Sequence, residues 1–144
     1  MQKTAAQHAV VRKAIHTDRA PDAIGVYSQA IQCGDTLYIS GQLPLEPSRM
    51  ELVDESFEAA AHQAFRNLDS VARAAGGDIN DAVKVNISLT DLANFATVNK
   101  VMAQYFSEPY PARAAVGVAA LPKGAPIEIE AIVLLRDARA ASSP

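Results

Sequence analysis

The chain has 144 residues, of which 49% are hydrophobic and 20% charged, a composition typical of one globular domain. Its net charge of -3 argues against a dedicated nucleic-acid binder, because such proteins usually carry a basic excess. No apolar stretch approaches the ~20 residues of a membrane span. The single cysteine, Cys33, excludes an internal disulfide and fits a reducing compartment, so a cytoplasmic location is expected.

The N-terminal third predicts an extension followed by three strands. Residues 1–11 show no pattern and are expected to form a flexible extension, without the apolar core of a signal peptide. The segment at 10–17 predicts a first strand. Residues 27–31 and 36–40 flank a Gly-Asp pair, a pattern that predicts a β-hairpin. The segment LPLEP at 43–47 predicts a loop.

The middle of the chain predicts two helices with a strand between them. An apolar stripe at helical spacing indicates a helix over 54–75. Strict alternation of apolar and polar residues over 83–90 indicates a strand with one buried face. The second helix is predicted over 92–106, with Phe95 among the residues facing inward and Asn99 at the edge of the apolar stripe.

Residues 109–130 predict two further strands joined by a tight connection. Side chains alternate from Arg113 onward, so this arginine stands at the end of a strip of small residues that leaves room for a ligand. The run PKGAP at 122–126 interrupts the ladder, because proline has no N–H. In the last strand Glu128 and Glu130 share one face.

A distance argument then concerns Arg113 and Glu128. If their strands pair as a hairpin, the two residues lie six positions apart in register, or roughly 20 Å along the strand axis. One small ligand cannot bridge that gap, so any site that uses both residues is predicted to lie between two chains.

The predicted order is β-β-β-α-β-α-β-β, an α+β fold with two helices packed on one sheet. Residues 12–137 are expected to form one domain and residues 138–144 a flexible tail. His8, His16 and His62 show no metal-ligand spacing and are predicted to be surface residues. The glycines form neither a phosphate loop nor a dinucleotide fingerprint. No metal site or cofactor is therefore predicted.

Four polar residues stand at the edges of otherwise apolar elements: Tyr27, Asn99, Arg113 and Glu128. They occur within the segments GVYSQAI, DLANFATVNKVMAQYF, PARAAVGVAALP and IEIEAI, and ISGQLP follows the first of these. In this order and spacing the segments resemble the YjgF/YER057c/UK114 family, also called the RidA family of enamine/imine deaminases. The likeness runs from about Ile15 to Arg136.

The resemblance implies a chorismate-mutase-like α+β fold assembled as a homotrimer, with active sites in the clefts between subunits. It also implies hydrolysis of 2-imino or 2-enamino acids to 2-oxo acids and ammonia without a cofactor. By this resemblance Arg113 would bind the substrate carboxylate, and Glu128 would orient or activate the attacking water. Further residues would line the pocket: Tyr27, Ser40, Gly41, Phe95 and Asn99.

Two departures from the family pattern bear on the choice of substrate. Ala115 stands where the family usually has a cysteine, although its backbone N–H can still donate a hydrogen bond. Val26 stands where the family's GPYSQ segment has proline.

Three other classes of function stay open. A non-catalytic sensor or binding trimer for small metabolites would use the same arginine and pocket. A ribonuclease or translation inhibitor is an older association of the family, and the acidic balance of this chain counts against it. A purely structural protein would leave the four polar residues unexplained. Neither a nucleic acid nor a membrane is an expected partner.

Overall fold

The structure of the protein, a computed structural model, describes residues 11–136. Its elements are β1 (Arg12–Ile15), β2 (Ala30–Cys33), β3 (Thr36–Gln42), β4 (Leu45–Glu46), β5 (Glu51–Leu52), α1 (Phe57–Ala74), β6 (Ala82–Leu89), α2 (Phe95–Met102), β7 (Ala112–Gly117) and β8 (Ile127–Leu134). The expected extension at 1–11, apart from Val11, and the tail at 138–144 lie outside the described residues. The domain bounds of 12–137 therefore stay a prediction.

Six strands form one mixed sheet in the order β1-β2-β3-β8-β6-β7, and β4 pairs with β5 in a separate small hairpin. Both helices pack on one side of the six-stranded sheet, which confirms the α+β class and two helices on a mixed sheet. Within residues 11–136, neither helix is long and apolar enough to cross a bilayer.

Helix α1 covers the centre of the sheet and supplies much of the core. Ser56 begins it as a cap, because its hydroxyl accepts a hydrogen bond from the N–H of Ala59 at 3.0 Å. Its apolar stripe buries Phe65 and Leu68 completely against the strands. The predicted helix was two to three residues too long at its start, since residues 54–56 precede the first helical turn.

The hairpin of β2 and β3 has the predicted two-residue turn, in which Gly34 adopts a positive φ of 59°. Strand β2 begins only at Ala30, however, so Tyr27 lies in the loop before the strand. The expectation of a strand over 27–31 was therefore wrong at its start. The loop is held by side-chain hydrogen bonds to distant residues, which local alternation does not reveal.

The segment 43–47 was expected to be a loop, and instead it contains β4, which pairs with β5. Asn67 of α1, which is buried, donates from Nδ2 to the carbonyls of Leu43 and Leu45 at 3.0 and 2.9 Å. A side chain more than twenty residues away thus stabilises the segment, and its own sequence carries no signal of this.

Strand β6 alternates as predicted from Val85 to Leu89, but Val83 is 47% exposed. The register with β8 shifts between Ala82 and Lys84. Such an irregularity changes the face on which the following side chains lie, so Val83 does not share the buried face.

Strands β7 and β8 do not form the predicted hairpin. Strand β6 lies between them, pairing parallel to β7 and antiparallel to β8. The chain therefore crosses from one edge of the sheet back over β6, through residues 118–126. The interruption by PKGAP was predicted correctly, and the pairing of the strands was wrong.

The sheet has two different faces. The helix face carries Leu37, Ile87 and Ile129, all of which are buried against the helices. The open face has no helix or strand of residues 11–136 above it, yet it carries Tyr38, Val116 and Leu134, each about half-exposed. A bare apolar sheet face of this kind is typical of an interaction surface.

Candidate active site

The first set of predicted site residues gathers around Arg113 at the edge strand β7. Arg113 is level with Val85 in the parallel ladder, so its side chain lies on the helix face. Its Nη1 donates to Oδ1 of Asn99 at 2.5 Å and contacts Sδ of Met102 at 3.6 Å. The guanidinium carbon lies 5.0 Å from the centre of the Phe95 ring. Arg113, Asn99, Phe95 and Ala115, which follows on the same face, are called the arginine half-site.

These contacts orient the guanidinium without using up its donors. Asn99 and the Phe95 ring hold one side of the group, by a hydrogen bond and a cation–π contact. Within residues 11–136, neither Nε nor Nη2 of Arg113 has a hydrogen-bond partner. The group borders an open pocket of about 490 Å³ that also includes Met102, Ala103, Tyr110 and Pro111. A planar fork beside an apolar wall suits a small carboxylate ligand.

The position of Phe95 corrects the expectation that it faces the core. Its side chain is 38% exposed, whereas Val98 and Met102 of the same helix are buried. The ring covers the guanidinium of Arg113 instead of packing under the helix. The prediction of Phe95 as a core residue was therefore wrong, while its role as a site residue stays a prediction.

The second set gathers around Glu128 on β8 and consists of Glu128, Gly41, Ser40 and Tyr27, called here the glutamate half-site. Glu128 is level with Ser88 of β6 and lies on the open face. A Cβ atom on Gly41 would lie 2.7 Å from the carboxyl carbon of Glu128, so only glycine allows this close approach. Next to it, Ser40 donates from its hydroxyl to the carbonyl of Ser28 at 2.6 Å.

Tyr27 approaches this half-site from the loop before β2. Its side chain is half-exposed, and its hydroxyl accepts a hydrogen bond from the N–H of Ile24 at 3.3 Å. Tyr27 and Gly41 border the same small pocket. Tyr27 thus borders the same pocket as Gly41, which lies against Glu128 and next to Ser40.

Burial raises the pKa of Glu128, and the negative charge of Glu130 raises it further. Both causes disfavour the ionised carboxylate. A raised pKa makes the carboxylate of Glu128 a better proton acceptor than an exposed glutamate, which suits a group that takes a proton from water.

The two half-sites of one chain cannot face the same ligand, because they lie on opposite faces of the sheet. Arg113 is level with Val85 and Glu128 with Ser88. Three residues of β6 separate those levels, or about 10 Å along the strand, so the predicted 20 Å was too long. The sheet itself is the stronger barrier, because its whole thickness stands between the two side chains.

The other polar residues weighed in the sequence find different roles. His62 was expected at the surface and is half-buried, with Nδ1 2.9 Å from the hydroxyl of Tyr105. His16, Asp18 and Asp22 bring their ligand atoms within 4.8 Å of one another, a grouping that histidine spacing alone did not reveal. All three are exposed, and nothing else in the described residues marks that place as a metal site.

Two residues near the site were not predicted. Met102 contacts the guanidinium of Arg113, and its place three residues after Asn99 on a helix was the only available signal. Gln29 is buried beside Tyr27 and makes several hydrogen bonds through its side chain. It stands within the segment GVYSQAI, but that motif does not indicate what the amide contacts.

We expect Gly41→Ala to lower activity by displacing Glu128. The new methyl group would overlap the carboxyl group at 2.7 Å, and a shift of about 1 Å in a catalytic group costs on the order of 100-fold in rate. Turnover of a 2-imino acid, the substrate class that the family resemblance implies, by the purified variant is the measurement. Gly76→Ala is the matched control, since its strain comes from a positive φ of 92° with no atom near the new methyl. It should lower the melting temperature and leave turnover unchanged, whereas full activity of Gly41→Ala would contradict the close approach.

The fold and the two half-sites define an α+β protein with an arginine fork and a partly buried glutamate on separate surfaces. The family model described as endoribonuclease L-PSP matches residues 17–135. The chain belongs to this family, the YjgF/RidA family that its sequence resembles, and that prediction is confirmed.

Individual relatives cover most of the chain. The protein is 49% identical to mouse 2-iminobutanoate/2-iminopropanoate deaminase, over 87% of this chain and 93% of the relative. It is 50% identical to RutC family protein y4sK of Sinorhizobium fredii (strain NBRC 101917 / NGR234), over 84% and 96% of the two chains. The crystal structure of RidA from the Antarctic bacterium Psychrobacter sp. PAMC 21119 is 56% identical, with a TM-score of 0.83, over 86% of this chain and all of that one.

Proposed function

We propose that the protein is an enzyme that hydrolyses 2-imino and 2-enamino acids to 2-oxo acids and ammonia without a cofactor. The observation that carries this proposal is the pair of half-sites, one suited to a carboxylate and the other to proton transfer. The mouse relative bears the name of this activity and is half identical to this chain. The small substrate would be bound in a homotrimer, and the single cysteine fits a cytoplasmic location.

In this mechanism Arg113 binds the substrate carboxylate through the donors that Asn99 does not occupy. The planar guanidinium matches two carboxylate oxygens at once, which fixes the position of the neighbouring C2 atom. An enamine first becomes the imine by taking up a proton at C3 from water and losing a proton from nitrogen. The backbone N–H of Ala115, two residues along the same face of β7, would then face the reacting group.

Glu128 would orient the water that attacks C2 and accept its proton. The oxygen of the water bonds to C2 while the electrons of the C=N bond move to nitrogen. The proton held by Glu128 then passes to the nitrogen and gives a carbinolamine. Glu128 next takes the proton of the C2 hydroxyl and passes it to the nitrogen as the C–N bond breaks, so ammonia leaves and C2 becomes the carbonyl of the 2-oxo acid. The raised pKa of Glu128 suits both halves of this transfer, because the group must accept a proton and return it.

Because the half-sites of one chain lie on opposite sides of the sheet, the complete site requires the Arg113 of one subunit and the Glu128 of the next. The bare apolar residues on the open face, Tyr38, Val116 and Leu134, support association through that face. The family resemblance favours three copies over two. A ring of three identical contacts would give three equivalent clefts.

Mixing two inactive variants tests the shared site. Trimers assembled from equal amounts of Arg113→Ala and Glu128→Gln subunits should regain about a quarter of wild-type activity, because that fraction of clefts combines two intact residues in a random closed ring. Each variant refolded alone should remain inactive. Light scattering should give a mass of three chains of 15.3 kDa. A monomer, or mixing without recovery, would contradict the shared site.

The second candidate is a non-catalytic trimer that binds 2-oxo acids as a sensor. It is favoured by the same unoccupied donors of Arg113 and by Ala115, which replaces a thiol usual in the family. Binding of 2-oxobutanoate without any turnover of 2-iminobutanoate would support the sensor. Cleavage of single-stranded RNA by metal-free protein would instead support the ribonuclease alternative.

A further inference from the structure

Gln29 connects three segments that meet at the glutamate half-site. It is a fully enclosed amide, 3% exposed, placed between Tyr27 and the start of β2. Its side chain reaches the segment 17–21, while its carbonyl accepts a hydrogen bond from the N–H of Ser40 at 3.0 Å. The hydroxyl of Ser40 also donates to the carbonyl of Ser28. The short stretch 27–29 is therefore fixed from two sides.

Every hydrogen-bonding atom of the Gln29 amide is used on the segment 17–21. Its Oε1 accepts from the N–H of Thr17 at 2.7 Å. Its Nε2 donates to the carbonyls of Thr17, Ala20 and Pro21 at 3.0, 3.3 and 2.8 Å. An amide has two donor hydrogens, so three acceptors share them. No other natural side chain of this length offers one acceptor and two donors on a planar end.

We propose that Gln29 is the positioning residue for Tyr27, setting the place of the phenol ring beside Gly41 and Glu128. Tyr27 lies outside the strand ladder, so no strand pairing fixes it. Its one hydrogen bond within the described residues comes from Ile24, which belongs to the same loop. Gln29 therefore fixes both ends of the loop between Pro21 and Tyr27. Its amide binds the carbonyl of Pro21 at one end. Its backbone, two residues after Tyr27, is held by the N–H of Ser40 at the other end.

This inference rests on the proposed role of Tyr27 in the site, and the first test needs no substrate. The four tyrosines, at 27, 38, 105 and 110, are replaced by fluorotyrosine, and Tyr27→Phe assigns the Tyr27 signal in the ¹⁹F spectrum. In Gln29→Met, which keeps length but has no amide, we expect this signal to shift or broaden. The Tyr105 signal should stay in place, because that ring is stacked on Phe65 in the core. An unchanged Tyr27 signal would overturn the proposal.

A second variant covers the case in which Gln29→Met fails to fold. Glu replaces Gln29 with the same shape, and its protonated form can donate one hydrogen bond while its ionised form donates none. In Gln29→Glu the Tyr27 signal should therefore show a pH-dependent change in addition to the one that ionisation of the neighbouring Glu128 causes in the wild-type protein. A Tyr27 signal with the same pH dependence in this variant as in the wild-type protein would also overturn the proposal.

A kinetic cycle separates positioning from a general loss of stability. Gln29→Met should lower kcat/KM about 10- to 100-fold, the scale of a misplaced group. In a Tyr27→Ala background the same change should cost less than about threefold, since coupled residues are not additive. An equal factor in both backgrounds would show a merely structural role.

A half-buried carboxylate of α1 that belongs to neither half-site supplies the matched control. Asp69 accepts from the N–H of Ile79 at 2.9 Å and pairs with Arg73. Asp69→Asn should lower the melting temperature and leave kcat/KM unchanged in both backgrounds. If the wild-type protein shows no turnover at all, the proposed function fails, while the ¹⁹F spectra still decide the role of Gln29.

Discussion

Replacing Arg113 by alanine should abolish carboxylate recognition, with a loss of about 2–5 kcal/mol in the free energy of binding if the ion pair is buried between subunits. The physical reason is that the lost group supplies a full charge and two parallel donors at the same time. Asn99 and Phe95, which now orient the guanidinium, would face an empty space and provide no replacement charge. The measurement is calorimetric binding of 2-oxobutanoate, a stable analogue of the imine.

Two further variants sharpen that test. Arg113→Lys should rescue little, because an ammonium group is a point charge and cannot reproduce the planar fork. Arg73→Ala removes an exposed arginine that pairs with Asp69 on the outer side of α1, and binding should stay within about twofold of wild type. If Arg113→Ala bound 2-oxobutanoate as tightly as the wild-type protein, the carboxylate would lie elsewhere.

The elements that the sequence predicted well are those whose pattern is local. The stripe of α1 and the alternation from Val85 to Leu89 follow from burial against a single layer, and they appear in the sequence with their own period. The turn at Gly34 is equally local. In each of these elements the local sequence alone indicates the secondary structure.

Strand pairing was not predictable in the same way. The run from Arg113 to Gly117 has the composition of a strand at any position in a sheet, and a short turn after it favours a hairpin. Only the register shows that β6 lies between β7 and β8. In this pairing the side chains of Arg113 and Glu128 lie on opposite faces of the sheet. In the sequence, a separation of roughly 20 Å along the strands predicted a site shared between two chains. The structure supports sharing for a different reason, because the two side chains lie on opposite faces of the sheet.

The predicted site residues were found by their resemblance to a family, and their physical roles were not visible in the sequence. Gly41 is an example, because its importance depends on the carboxyl group of Glu128, nearly ninety positions away. Gln29 is another, since the carbonyls that it holds belong to the loop before it. The geometry of the site depends on contacts between segments that are distant in the sequence. The periodicity of hydrophobic residues does not indicate such contacts.

Glu128→Gln is expected to lower turnover of 2-iminobutanoate by about 10²–10⁴, the usual range for a general acid–base group. Glutamine keeps the shape of the side chain and is a poor proton acceptor. Binding of 2-oxobutanoate should be retained, because the carboxylate contacts belong to Arg113. Stopped-flow decay of the imine, corrected for its spontaneous hydrolysis, measures the first quantity, and calorimetry measures the second.

A change in stability should not explain the lower turnover of Glu128→Gln. The folded protein holds the proton of Glu128 more tightly than the unfolded chain does, because its pKa is raised. Ionisation therefore costs stability as the pH rises through the unfolded and then the raised folded pKa. A neutral glutamine removes that cost, so Glu128→Gln should melt no lower than wild type at neutral pH. Loss of binding and turnover together would make Glu128 a structural residue of the cleft.

Glu130 provides the matched control on the same strand face. Its carboxylate accepts a hydrogen bond from Nδ2 of Asn86 at 3.2 Å and is exposed. Glu130→Gln should leave turnover at neutral pH within a few-fold of wild type. It should also move the acid limb of the pH–rate profile to lower pH, because it removes a negative charge that raises the pKa of Glu128. The limb should not return fully to that of an exposed glutamate, since burial is the larger cause and remains. Normal turnover in Glu128→Gln, with the acid limb unmoved in Glu130→Gln, would exclude Glu128 as the group that accepts the proton and favour a water held by backbone groups instead.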